Sequence, residues 1–232
     1  MNELVWKLAN SYIVHSKRNK EILLKKTKKP VYVVPHGIIE LKKSKFSKIE
    51  LRQKYGFSSK DKILLFFGGI RKHKGLDVLL KSLREIKDEN VKLIIAGKPW
   101  EKFEPYEKLI KDFDIGNRIK LFLEFVPNKT SAELFAVCDL VVLPYKEFEA
   151  TSGVGALALN FAKPMIVTDV GGLPEIAEDK NVVAKAGDSK DLEKKIRYAL
   201  DNLKKLAKDS RENAKEFSWV EISKKTLEVY ER

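Results

Sequence analysis

Short apolar runs alternate with longer amphipathic segments along most of this chain, and that alternation constrains its fold more than any other feature. One amphipathic segment, LDVLLKSLREI, places apolar residues 76, 79, 80, 83 and 86 on one face at helical spacing. The apolar runs that predict strands are SYIVHS (11–16), VYVVP (31–35), KILLFFGG (62–69), VKLIIAG (91–97), IKLFLEF (119–125), LVVLP (140–144), PMIVTD (164–169) and NVVAKAG (181–187). Strands that are buried on both faces and joined by helices predict an α/β fold with a doubly wound parallel sheet.

Composition narrows the class of protein. The 232 residues are 44% hydrophobic and 34% charged, which is enough apolar material for a sizeable core. Because the chain has one cysteine, Cys138, and no apolar stretch long enough to span a bilayer, we expect a globular cytoplasmic protein. The net charge of +13 favours phosphate-bearing partners such as nucleic acid, an anionic membrane surface or a nucleotide. A lysine- and glutamate-rich surface is equally typical of heat adaptation, so the charge alone does not identify a partner.

The loop GGIRKHKG (68–75) follows a predicted strand, and doubly wound sheets bind ligands beyond the carboxyl ends of their strands. Its glycines let the backbone approach a ligand, while Arg71, Lys72 and Lys74 gather positive charge before a helix N-terminus. The loop therefore predicts a phosphate site, with an ordinary solvated loop as the alternative. It matches neither the P-loop nor the GxGxxG pattern.

A second loop of this kind opens the stretch EATSGVGALALNFAKP (149–164). Thr151, Ser152 and Gly153 lie where a strand turns into a helix, so their hydroxyl and N–H groups can face an anion. Glu149 lies just outside, where a carboxylate suits the neutral hydroxyls of a sugar better than a phosphate. The alternatives are an ordinary N-cap and an exposed loop acid.

The order and spacing of several segments together carry a family resemblance that covers nearly the whole chain. They are SYIVHSKRNKEIL, VPHGI, FFGGIRKHKGLDVLL, KLIIAG, LFLEFVP, AELFAVCDLVVLPY, KPMIVTDVGGLPEI and FSWVEISKKTLEVYE. The chain resembles the C-terminal, donor-binding domain of a GT-B glycosyltransferase of the family 4 type (glycosyl transferases group 1). The resemblance implies a Rossmann-like domain that binds a nucleotide-diphosphate sugar and, in this family, transfer with retention.

The resemblance also implies roles for particular residues. Lys74 matches the lysine that holds the donor diphosphate, whereas Gly69 stands where an arginine is expected, and Arg71 takes that role. Glu149 matches the first of two family glutamates, Leu157 replaces the second, and Ala162 replaces an expected glycine. The implied site residues are Arg71, Lys74 and Glu149 for catalysis, and Gly68, Gly69, Gly97, Glu124, Phe125, Val126, Thr151, Ser152, Gly153 and Val154 for nucleotide-sugar binding. Donor identity stays open because of these departures.

No metal or further cofactor is expected, since His15, His36 and His73 have no partners at ligand spacing. Trp100 and Phe103, beside Lys98 and Lys102, either flank a base or a partner or pack at the rim.

The chain is predicted to hold only part of a complete enzyme. We expect a remnant of the N-terminal acceptor domain in 1–35, a hinge in 36–50, the donor domain in 51–216, and a helix in 217–232 that packs back toward the N-terminal domain. The expected partners include a nucleotide sugar and an acceptor. We also expect a separate N-terminal half, self-association through 1–35 or an anionic membrane surface. Leu4, Trp6 and Leu8 are predicted to expose an apolar patch. The rival functions are a non-catalytic binding module with a degraded site and, on charge alone, a nucleic-acid binder, which we do not expect.

Overall fold

A computed structural model describes residues 8–149, 151–177 and 179–231. Strands β1 (Tyr12–Val14) and β2 (Val31–Val33) pair in a small parallel sheet. The main sheet contains β3 (Lys62–Phe67), β4 (Val91–Ala96), β5 (Ile119–Phe122), β6 (Leu140–Leu143), β7 (Met165–Thr168) and β8 (Val183–Ala184). Its six strands are parallel throughout, so the predicted α/β fold with a doubly wound, Rossmann-like sheet is confirmed.

The order of the strands places a crevice at the middle of the main sheet. The order is β5-β4-β3-β6-β7-β8, so the chain moves outward from β3 to β5 and then crosses to the other side of β3. Strands β3 and β6 pair with Leu64 opposite Leu140 and Leu65 opposite Val141. In open α/β sheets, ligands bind beyond the carboxyl ends of the strands at such a reversal.

Helices cover both faces of this sheet. They are α2 (Lys48–Lys54), α3 (Leu76–Glu85), α4 (Glu104–Asp112), α5 (Asn128–Val137), α6 (Gly153–Asn160), α7 (Ser189–Asp201) and α8 (Leu203–Glu216). Two further helices lie outside this layer: α1 (Lys17–Leu24) packs on the small sheet, and α9 (Trp219–Tyr230) contacts α8. Leu64 and Phe66 of β3 pack in one apolar cluster with α3, α4 and α7. Ile63 and Leu65 pack in a second cluster with α2, α5 and α6, because successive side chains of a strand point to opposite faces.

The predicted hinge contains no helix or strand from 38 to 47, and α2 begins within its last three residues. A capping box starts this helix, since the Ser47 hydroxyl accepts from the Glu50 N–H and the Glu50 carboxylate accepts from the Ser47 N–H. The helix is held on the main sheet by Arg52, whose guanidinium donates to Asp139 at 2.9 Å.

The N-terminal strand–helix–strand segment is tied to the main sheet. The Glu175 carboxylate accepts from the backbone N–H groups of Lys17 at 2.8 Å and Arg18 at 3.2 Å, at the start of α1. Leu8 is 73% exposed, whereas Leu4 and Trp6 lie outside the described residues, so the apolar patch of these three residues stays a prediction. In the part of the chain that the structure describes, no helix has the length and apolar character needed to cross a membrane.

Candidate functional site

The loops after β3 and β6 touch at the reversal of strand order. Gly75 has a φ of +70°, and a Cβ atom there would lie 1.9 Å from the carbonyl oxygen of Pro144. Beside this contact, the backbone N–H of Lys146 donates to the carbonyl of His73 at 2.8 Å. Position 75 therefore has room only for glycine, and the two loops together form the floor of the crevice.

Three of the predicted binding residues pack against one another at this floor. Gly68 and Gly97 have φ values of +99° and +148°. A Cβ atom on Gly97 would lie 2.0 Å from the Gly68 carbonyl oxygen, and one on Gly68 would lie 3.2 Å from a methyl group of Val154. The structure thus brings the loops after β3 and β4 and the first turn of α6 together, with bare backbone between them.

Lys74 rests on aromatic rings in the crevice. Its Nζ atom lies 3.8 Å from the ring centre of Tyr145 and 5.2 Å from that of Phe148. Burial, followed by repulsion from Arg71, lowers the pKa of Lys74 to about 8. Among the residues that the structure describes, no carboxylate lies within ion-pair distance of this ammonium group. An anion placed here would meet a partly desolvated cation whose charge is not already neutralised.

Arg71 also lies on an aromatic ring. The centre of its guanidinium lies 4.6 Å from the ring centre of Trp100, in the loop after β4. Both residues line a cavity of ≈ 540 Å³, whose remaining lining residues are Lys72, His73, Glu101, Lys146 and Glu147. The sequence placed Trp100 either beside a ligand or at the rim, and its contact with Arg71 was not predicted. Phe103, by contrast, is 8% exposed and packs in the core.

Ser152 is the N-cap of α6. Its Oγ atom accepts from the backbone N–H of Gly155 at 3.2 Å and lies 3.3 Å from the hydroxyl of Tyr145. The residue is 5% exposed, so the N-cap interpretation describes its side chain, whose hydroxyl is already used in capping α6. Thr151 is half-buried, and Gly153 and Glu149 are exposed.

The predicted nucleoside-side residues lie farther out. Glu124, Phe125 and Val126 follow β5, the edge strand, which lies two strands from β3. Phe125 is 77% exposed, Glu124 is exposed, and Val126 is buried. The backbone N–H of Gly97 donates to the carbonyl of Phe122 at 2.8 Å and joins this edge to the crevice. The three residues share the carboxyl edge with Arg71 and Lys74 but lie on a different loop.

Two departures from the family pattern have visible structural consequences. Leu157 is buried in the apolar cluster around α6 and offers no polar group to a ligand. Ala162 has a φ of +48°, the left-handed conformation that favours glycine. It ends α6 in a Schellman motif, with hydrogen bonds from Ala162 N–H to Leu159 and from Lys163 N–H to Ala158, both 2.9 Å.

The histidines are not arranged as metal ligands. His15 and His36 approach with ring centres 6.1 Å apart, and the Nδ1 atoms contact the carbonyl oxygens of Val34 and Gly37. Within the described ranges, no group of three or more His, Cys, Asp and Glu side chains is placed to hold a metal ion. Metal independence stays a prediction.

Comparison with known proteins identifies the family of the chain. The family described as "Glycosyl transferases group 1" matches residues 47–217. An uncharacterized glycosyltransferase of Methanocaldococcus jannaschii is 31% identical over 175 residues, which is 72% of this chain and 47% of that protein. The N-acetyl-alpha-D-glucosaminyl L-malate synthase of Bacillus anthracis is 32% identical over 180 residues, covering 76% of this chain and 46% of the enzyme. The chain thus spans about half the length of the curated relatives it matches.

A solved structure gives the same result for the fold. The Anabaena protein HepE, in complex with UDP-glucose, superposes with a TM-score of 0.81 and 19% sequence identity. The match covers 99% of this chain and 65% of the HepE chain. At this identity the likeness shows the shared architecture.

Proposed function

The chain belongs to the glycosyl transferases group 1 family, and from that premise we propose that its main sheet is the donor domain of a nucleotide-sugar-dependent glycosyltransferase. The reaction is transfer of a hexose from a nucleotide-diphosphate sugar to a glycan or a lipid-linked acceptor. Its stereochemistry is retaining, as in enzymes of the family 4 type.

The observation that carries this proposal is the pair of cations at the reversal of strand order. Burial, and to a smaller extent repulsion from Arg71, lower the pKa of Lys74, and each of the two cations rests on an aromatic ring. A diphosphate bound between them would relieve that repulsion, and charge-assisted hydrogen bonds to it are each worth about 1.5–3 kcal/mol. Backbone without side chains at Gly68 and Gly97 leaves space for close approach.

The same pair has a role in the chemical step. As the sugar–phosphate bond breaks, negative charge develops on the departing diphosphate, and donors already directed at that position stabilise the transition state. Lys74 and Arg71 would hold the diphosphate, and Glu149 would accept hydrogen bonds from the sugar hydroxyls. A phosphate oxygen would accept from the backbone N–H groups of Thr151, Ser152, Gly153 and Val154. Gly97 and the segment 124–126 would line the nucleoside side.

We propose that the acceptor side belongs to a further GT-B half, because the chain spans about half of its curated relatives. Exposed apolar side chains of the N-terminal segment and of α9 would contact that half. They are Leu8, Ile13, Ile22, Leu24, Val220, Leu227 and Tyr230. This proposal includes the predicted division of the chain into 1–35, 36–50, 51–216 and 217–232. It also includes weak activity of the chain without that half.

The test is a calorimetric titration of the chain with UDP, GDP, ADP and their hexose conjugates. UDP compounds come first, because the HepE structure holds UDP-glucose. One nucleoside diphosphate should bind, and Arg71→Ala combined with Lys74→Met should weaken it at least about a hundredfold, the loss of two charge-assisted contacts. The control Lys208→Ala removes one charge from exposed α8 and should not change affinity. Binding of no nucleotide would favour the rival function, a non-catalytic module acting through its basic surface.

A further inference from the structure

The indole ring of Trp100 lies directly against the backbone of Gly69. A Cβ atom on Gly69 would lie 2.6 Å from the Nε1 atom of Trp100 and 2.9 Å from its Cδ1 atom. Real Cβ atoms do not approach side chains this closely, so the indole occupies the space that a side chain at 69 would need. The edge of the ring is therefore packed directly on the backbone of the loop after β3.

A hydrogen-bonded bridge fixes the backbone of Trp100. Ile70 and Pro99 form an isolated parallel bridge between the loops after β3 and β4. The Ile70 N–H donates to the Lys98 carbonyl at 3.0 Å, and the Trp100 N–H donates back to the Ile70 carbonyl at 3.0 Å. Because Ile70 is fully buried and directly precedes Arg71, one anchored residue fixes the backbone from which both the indole and the guanidinium extend.

The hydrogen-bond donors of the Arg71 side chain have no partner among the described residues. An aromatic ring attracts a guanidinium through its π-electrons and offers no acceptor atom, so contact with Trp100 holds the charge without occupying the N–H groups. Carboxylates of Glu101 and Glu147 line the same cavity, yet neither forms an ion pair with Arg71 in the described structure. A carboxylate partner would instead take up the paired N–H groups that a diphosphate needs.

We propose that Trp100 is a positioning residue for the donor diphosphate: its indole, fixed over Gly69, holds Arg71 with its N–H groups free to bind the phosphates. This inference rests on the proposed nucleotide-sugar site. Trp100 acts through Arg71 and does not itself contact the diphosphate. Lys74 is held in a similar way, since its ammonium group lies over the neutral ring of Tyr145.

A double-mutant cycle on binding tests this role. The probes are UDP, GDP and ADP, and the variants are Trp100→Leu, Trp100→Phe, Arg71→Ala and Trp100→Leu with Arg71→Ala. Trp100→Leu removes the ring face and should weaken binding about tenfold, whereas Trp100→Phe, which keeps a ring, should retain affinity within about threefold. In the Arg71→Ala background, Trp100→Leu should have no further effect. Trp219→Leu, a tryptophan substitution on α9, is the matched control and should not alter binding.

A second measurement reports the stack without any ligand. In the wild type, the Nε–H resonance of Arg71 in a nitrogen-15 spectrum should carry a ring-current shift that Trp100→Leu abolishes. Trp100 is 67% exposed, so its substitution should leave the thermal unfolding midpoint unchanged. Additive losses in the cycle, or an unshifted Arg71 resonance, would overturn the positioning role while leaving the proposed function intact. A wild-type chain that binds none of the probes would refute the proposed function and the positioning role with it.

Discussion

Raising the pH from 7 to 9 should weaken nucleoside diphosphate binding about tenfold through the titration of Lys74 alone. Burial and the charge of Arg71 lower the pKa of this ammonium from 10.5 to about 8 in the free protein. With that value, the protonated fraction falls from about 0.9 at pH 7 to about 0.1 at pH 9. Because a bound diphosphate stabilises the charged form, the protein–ligand complex keeps its proton across this range. The association constant then follows the protonated fraction of the free protein.

Isothermal titration calorimetry at half-unit steps of pH, in buffers of matched ionic strength, measures this dependence. The logarithm of the association constant should be nearly flat below pH 7.5 and fall with a slope approaching about −1 above pH 8. Lys74→Arg keeps its charge throughout, so it should show only the titration of the nucleotide itself. A wild-type profile that matches Lys74→Arg would refute the assignment of Lys74 as the titrating contact.

Three further predictions concern the fold around the site. Ala162→Gly should raise the free energy of unfolding by about 1 kcal/mol in urea denaturation, since φ at 162 is +48°, whereas Ala156→Gly inside α6 should lower it by about as much. Gly97→Ala should lower the free energy of unfolding by more than about 2 kcal/mol, because its Cβ atom would meet the Gly68 carbonyl oxygen. The control Gly187→Ala, whose Cβ atom would have nothing within 4 Å, should lower it by about half as much. Equal losses would contradict the close approach of Gly97 to Gly68. Glu175→Ala should speed hydrogen exchange of the first α1 amides about fivefold, the loss of about 1 kcal/mol of capping, and Glu21→Ala in the same helix should leave it unchanged.

The sequence predicted the strands of the main sheet well because their apolar runs are bounded by glycine and proline. The last strand was the exception, since NVVAKAG forms only the two-residue β8. The predicted hinge, 36–50, includes the first three residues of α2, although the Ser47–Glu50 capping box is a sequence signal that identifies the start of this helix. The order of the strands was not predicted, because it depends on which strands pair across the sheet and not on the residues of any single run.

The candidate site was predictable in its loops but not in its contacts. Glycine and lysine after β3 indicated an anion site, because ligands bind beyond the carboxyl ends of parallel strands. The stack of Arg71 on Trp100 depends on a bridge between two loops, and the rings under Lys74 come from the loop after β6, about seventy residues away in the sequence. Spacing along the chain carries no information about such contacts. Ser152 in the Thr-Ser-Gly turn could be an N-cap or an anion ligand on sequence grounds, and the structure shows that its hydroxyl caps α6.

A crystal structure of the chain with its bound nucleoside diphosphate tests the central claim most directly. Phosphate oxygens should lie within about 3 Å of both the Lys74 ammonium and the Arg71 guanidinium, at the crevice between β3 and β6. Density for the nucleotide at any other surface, with this crevice holding only solvent, would contradict it.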